Sequence, residues 1–181
     1  MRERTNRHAW RACVASVTVG SNPTPSANHL GKAMNFDSAM ELALLEARQA
    51  PTHGDVPVGA VVVMEGSVLA LARNERELRG DPTAHAELLA LQAAAKKLGS
   101  SRLDGATLVT TLEPCQMCAG AAVLSRVSQV VFGAADPKAG ACGSLYNFGT
   151  DPRLSHNFEV VPNIRATECA ELLKEFFQEK R

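Results

Sequence analysis

Two short pieces of this sequence hold residue types that could do chemistry together: His85-Ala86-Glu87 and Pro114-Cys115-Gln116-Met117-Cys118. Two thiolates and an imidazole are good zinc ligands, and three protein ligands leave the fourth position of a tetrahedral ion open for water, the catalytic arrangement. Cys115 and Cys118 stand three apart, so on a helix they share one face. Each piece follows a loop or strand pattern and opens a helical one, and the positive end of a helix favours the thiolate that a metal binds. Zinc held there would bring the pKa of its water toward neutrality. Glu87, two residues after His85, is then placed to take the water's proton and pass it on as a general base and acid.

Taken singly, these signals are weak. A lone Cys-x-x-Cys also serves as half of a structural zinc site or as a redox pair, and His85 alone could be an ordinary core histidine. A closed structural site needs a fourth protein ligand, for which Cys142 is the one obvious candidate. Glu87 separates the readings, because a carboxylate so near a ligand has no task in a structural site, although by itself it could be a solvated helix charge. The combination points to a zinc enzyme.

The elements that must position these residues are legible as alternating patterns after Met34. Phe36, Met40, Ala43, Leu44 and Ala47 form an apolar stripe at helical spacing, with Asp37 as the expected N-cap. Val58 to Val63 reads as a strand, Glu65-Gly66-Ser67 as a hairpin turn, and Val68 to Ala72 as the returning strand. His85 to Leu98 reads as a helix closed by Gly99. Strand Ala106 to Thr111, helix Gln116 to Leu124 and strand Gln129 to Phe132 follow, then an edge strand Phe158 to Val161 and a closing helix Ile164 to Phe177. The expected fold is α/β, three layers α-β-α, with a central sheet of about five strands flanked by helices. No internal repeat and no second domain is visible.

Composition agrees with a globular protein of one domain. The chain has 181 residues, 45% apolar and 21% charged, and no apolar run approaches the length of a bilayer span. Five cysteines, an odd number, suit a reducing compartment and metal binding better than a disulfide framework. The zero net charge hides an asymmetry: residues 1–33 hold five basic residues against Glu3 alone, and the remainder has a net charge of −4. Such a folded part cannot rely on general phosphate attraction, so any RNA must be recognised through a local site. Residues 1–33 have no apolar period and read as a disordered extension; their Arg-rich, acid-poor character also permits a transit peptide, or Met34 is the true start. Residues 34–181 form the expected catalytic domain.

The H-x-E and P-C-x-x-C pieces resemble the signature of the cytidine deaminase-like zinc deaminases, which take a nucleobase out of its stack. Within that superfamily the sequence is most similar to the bacterial tRNA-specific adenosine deaminases, from about Val56 to Phe177. The likeness includes Val56-Pro57-Val58-Gly59-Ala60, Asp81-Pro82-Thr83-Ala84-His85-Ala86-Glu87, Thr111-Leu112-Glu113-Pro114-Cys115 and Met117-Cys118-Ala119-Gly120-Ala121. Val130-Val131-Phe132-Gly133-Ala134 and Gly140-Ala141-Cys142-Gly143-Ser144-Leu145 extend it.

The resemblance implies hydrolytic conversion of adenosine to inosine at the wobble position of a tRNA anticodon stem-loop. It implies one zinc on His85, Cys115 and Cys118, with Glu87 as proton shuttle. It places Asn74 on the base, the backbone of Val58 and Ala86 in the pocket wall, and Asp136 and Lys138 beside the RNA backbone. Asn74 could equally cap a turn, and Asp136 with Pro137 could simply make one. A homodimer is implied too, with the small residues 119–122 followed by Val123 and Leu124 as a surface for close helix approach, although the same stretch would equally suit packing on the protein's own sheet, and the expected location is cytoplasmic. Arg73 and Asn157 depart from the family, which often carries Trp and Arg there. The competing readings are a deaminase of a free base or nucleoside, of guanine or cytidine type, and a non-catalytic zinc-stabilised RNA-binding protein.

Overall fold

A computed structural model of the protein describes residues 35–180, so the expectation for the 1–33 extension lies outside the described residues. The chain runs α1 (Phe36–Ala47), a 3-10 turn (Ala50–His53), β1 (Gly59–Met64), β2 (Ser67–Arg73), a one-turn helix α2 (Arg76–Arg79) and α3 (Ala86–Leu98). It continues through β3 (Thr107–Leu112), α4 (Gln116–Ser125), β4 (Gln129–Ala134), β5 (Glu159–Val161) and α5 (Ala166–Glu179). The five strands form one sheet in the order β2-β1-β3-β4-β5. β1 pairs antiparallel with β2 and β3, whereas β3, β4 and β5 run parallel.

The three layers follow from strand periodicity. Successive side chains point to opposite faces, so a strand buried on both faces must be apolar throughout. Ala60, Val62, Leu108, Val130 and Phe132 face one way and pack with Ala86, Ala90 and Leu91 of α3 and Ala119, Ala122 and Val123 of α4. Val61, Val109 and Val131 face the other way and pack with Met40, Ala43 and Leu44 of α1 and Cys169 of α5. The hairpin turn is made by Glu65 and Gly66, both at positive φ (50° and 72°), the conformation that matches the twist of a two-residue hairpin.

Several boundaries differ from the sequence expectation, each for a local reason. Asn35, not Asp37, caps α1: its backbone is extended and its side chain accepts from Ser38 N at 2.8 Å, while Asp37 lies inside the first turn. Val58 stays outside β1, because its N–H donates to Val56 O and its carbonyl accepts from Asn74 N instead of joining the ladder. Asn163 and Arg165 adopt positive φ (68° and 53°), which delays α5 to Ala166. The two one-turn helices carry no amphipathic period, so periodicity does not reveal them. Among the described residues, no helix is long and apolar enough to cross a membrane.

α1 crosses β1 closely at Gly59. A Cβ on Gly59 would overlap the Ala43 carbonyl oxygen and lie 2.7 Å from Ala47 N, both rigid backbone. Gly59→Ala should therefore push α1 off the sheet and cost about 1–3 kcal/mol. Thermal denaturation should show the midpoint falling by several degrees, and an unchanged midpoint would mean that this contact has room to give.

Candidate active site

His85 and Cys115 occupy equivalent places: each is the N-cap residue of its helix, α3 and α4, in extended backbone conformation. Neither side chain caps its own helix, so both are free to turn toward each other across the sheet edge. Cys118 follows one turn into α4, on the same face as Cys115. The Cys115 and Cys118 sulfurs lie 3.7 Å apart, and His85 Nδ1 lies 3.8 and 3.5 Å from them. A tetrahedral zinc with ordinary Zn–S and Zn–N bonds sets its sulfurs about 3.8 Å apart and sulfur from nitrogen about 3.6 Å. The donor set fits the ion in both chemistry and spacing. Cys142, the candidate fourth ligand of a closed site, does not join this group. It is buried nearby and its N–H donates to Glu113 Oε1 at 3.0 Å.

A small cavity of about 160 Å³ opens beside these donors. Of the expected site residues, Val58, Asn74, His85, Glu87, Cys115 and Asp136 line it. Cys118 and Ala86, both fully buried, and Lys138, exposed on the surface, are not among its lining residues. Asp136 also makes the turn that the simpler reading asked for, accepting from the N–H groups of Lys138 and Ala139 at 2.9 and 3.2 Å. The two departures from the family pattern are engaged elsewhere: Arg73 bonds Glu46 and Gln49 at 3.0 and 2.8 Å, and Asn157 donates to Asp151 O at 3.0 Å.

The electrostatics follow from burial and the close approach of the two sulfurs. The hydrogen bond between Cys115 and Cys118, with the one to His85, brings Cys115 down to about 3 against the upward push of burial. The same bond, then burial, drives Cys118 up, and the bond to Cys115 raises His85. Glu87 is 4% exposed, and burial pushes its carboxyl up to about 7.

Five lining residues escaped sequence reasoning: Val56, Arg76, Leu112, Glu113 and Ala139. Glu113 matters most. Its carboxylate accepts from the N–H groups of Asp136, Cys142 and Ser144, each at 3.0 Å, and from the Ser144 hydroxyl. Burial pushes Glu113 up, but the hydrogen bonds from Ser144, Asp136 and Cys142 outweigh it and hold it below the usual carboxylate range. This clasp draws residues 136–144 against the Cys115 piece, where Ala141 N donates to Pro114 O at 2.8 Å and Cys115 bridges to Gly140. Only the quoted likeness around Glu113-Pro114-Cys115 could have flagged it, since its partners lie 23 to 31 residues away.

Comparison with known proteins adds to this geometry. Residues 34–181 match the family model of the MafB19-like deaminases. The chain is 51% identical over 142 residues to a tRNA-specific adenosine deaminase of Bacillus subtilis, covering 78% of this chain and 88% of that one. A structure solved in biochemical and structural studies of A-to-I editing by tRNA:A34 deaminases at the wobble position of transfer RNA is similar at 44% identity and a TM-score of 0.72, covering 75% of this chain and 98% of that one. A guanine deaminase from Nitrosomonas europaea shares the fold at only 27% identity, with a TM-score of 0.65 and coverage of 77% and 83%. The chain therefore belongs to the MafB19-like deaminase family and, within it, to the family of the tRNA-specific adenosine deaminases.

Proposed function

We propose that this protein is a zinc-dependent hydrolase that converts adenosine to inosine at the wobble position of a tRNA anticodon. The observation that carries the reading is the meeting of His85, Cys115 and Cys118 at zinc-ligand spacing, with the buried Glu87 lining the same cavity as His85 and Cys115. The relatives supply the substrate, since the adenosine deaminase likeness, at 51%, far exceeds the guanine deaminase likeness, at 27%.

Zinc, when bound by His85, Cys115 and Cys118, supplies the Lewis acidity that makes water a nucleophile near neutral pH. The residues of the chain do the rest. Glu87 takes a proton from water and gives it to N1 of the purine, while a C–O bond forms at C6. It then passes a second proton to the exocyclic nitrogen, the C6–N bond breaks and ammonia leaves. Asn74 holds the flipped base, the Val58 backbone borders it, and Leu112 with Val56 keeps bulk water from the ring. Asp136, and Lys138 beyond the cavity mouth, face the RNA backbone as it enters. An anticodon loop suits this small cavity because its bases are unpaired and already partly splayed, whereas a duplex hides them.

The catalytic domain in this reading is residues 34–181, the span that the family model matches, with 1–33 an extension to it. The enzyme works in the cytoplasm as a homodimer. Support for the dimer comes from α4, where Ala119, Ala122 and Val123 pack on the protein's own sheet but Leu124 is 78% exposed beside the small Gly120 and Ala121.

Cys118→Ala should lose most of its zinc in metal analysis, whereas Glu87→Gln should keep about one zinc per chain and lose turnover by at least about a hundredfold. Full zinc in the first variant, or near-normal turnover in the second, overturns the assignment of roles. The native protein should form inosine in an anticodon stem-loop with adenosine at the wobble position and little with free adenosine, and Asn74→Ala should weaken this by about 1–3 kcal/mol. Faster turnover of free guanine or cytidine would replace the substrate, and inactivity on all of them with zinc bound would favour a non-catalytic RNA-binding role. Light scattering at micromolar concentration should return twice the 19.3 kDa chain mass. A monomer alone removes the dimer.

A further inference from the structure

Asp55 lies outside every motif that pointed to the site, and it is only 1% exposed. A carboxylate so buried must have its oxygens satisfied, and four donors converge on it. Oδ1 accepts from Asn74 Nδ2 at 3.3 Å and from Glu77 N at 2.9 Å, and Oδ2 accepts from Leu78 N at 3.1 Å and His53 Nδ1 at 2.8 Å. Burial would push Asp55 up, but the bonds from Glu77, Leu78 and His53 hold it below the usual carboxylate range. It is therefore ionised and can only accept hydrogen bonds.

That fact decides which way Asn74 points. A carboxamide can turn either end toward a neighbour, but its oxygen facing an ionised carboxylate would set two acceptors against each other. Asn74 must give its NH2 group to Asp55, which leaves Oδ1 and the second N–H free. Among the described residues nothing donates to Asn74 Oδ1, and Asn74 lines the cavity. The backbone is held as well, with Asn74 N donating to Val58 O at 2.9 Å. Asp55 also ties down the start of α2 through Glu77 and Leu78, so the wall carrying Arg76 and the amide of Asn74 share one anchor.

We propose that Asp55 is a positioning residue for the deamination: it fixes the Asn74 carboxamide in the one orientation that presents an acceptor and a donor to the purine. The inference rests on the reading of Asn74 as the residue that holds the base. Asp55 touches neither substrate nor metal. It acts through Asn74.

The test is a double-mutant cycle between Asp55→Asn and Asn74→Ala in the zinc-loaded protein, read in kcat/KM and in anticodon stem-loop affinity, with melting temperature followed throughout. Asp55→Asn replaces an acceptor with a group that can donate toward Asn74, and should lower kcat/KM about tenfold when Asn74 is present. In the Asn74→Ala background it should change kcat/KM by less than about twofold, because the group it orients is gone. Asp55→Glu, which keeps an ionised acceptor, should recover most of the activity. Equal losses in both backgrounds would show a merely structural role and overturn the inference, as would wild-type activity in Asp55→Asn. Where Asp55→Asn does not fold, Asp55→Ser takes its place in the cycle with the same outcomes. Wild-type activity in Asn74→Ala alone is a different result: it removes the base-holding reading itself, and the Asp55 inference with it.

Discussion

Two helices must begin side by side at one edge of the sheet, because the residues that meet there, His85 and Cys115, are their N-cap residues. The parallel run of β3 and β4 enforces this: a crossover helix between parallel strands starts where the first strand ends, and α4 starts just beyond β3. α3 lies on the same face as α4 and enters at the same edge, where β2 ends and β1 begins. Cys115, Cys118 and His85 are thus brought to within 3.8 Å of one another by elements that share one apolar core. Their side chains leave their own helix ends uncapped, so the site uses positions where a Ser or Asp would otherwise serve stability.

Around this junction the protein uses buried carboxylates as clasps. Glu113 gathers the 136–144 loop against the Cys115 piece, and Asp55 gathers Asn74 and α2 on the opposite wall. Each is nearly inaccessible and each accepts four hydrogen bonds, which offsets the cost of taking a charge out of water. Glu87 differs from both. Burial raises it, whereas Glu113 and Asp55 are held low by the donors around them. Environment alone thus divides three buried acidic residues into one raised by burial and two held low by donors.

Much of the fold was legible because periodicity reports burial. The Val-rich runs at 58–63 and 129–132 are apolar on both faces, and the structure shows why: Val61 and Val131 meet α1 and α5 while Val62 and Val130 meet α3 and α4. What periodicity left out were features set by single hydrogen bonds. Asn35 and Asp37 are both able caps, and only the Ser38 N–H decides for Asn35. The turns at Ala50–His53 and Arg76–Arg79 are too short for any stripe, and the second is held by a carboxylate more than twenty residues away.

The sequence by itself determined the architecture and singled out a candidate set of chemical residues. The residue types and spacing of His85, Glu87, Cys115 and Cys118 suit a metal and a proton carrier together, because thiolates three apart at a helix start stand with an imidazole and a nearby carboxylate. Only the tertiary structure decided which polar residues act as ordering groups. Asp55 and Glu113 look like ordinary charged residues in the chain, and their partners come from turns and loops whose positions are set by packing of the whole sheet edge. Hydrogen-bond partnership between distant segments has no period and no spacing to read, since it depends on angles and tenths of an ångström that exist only after the layers have closed.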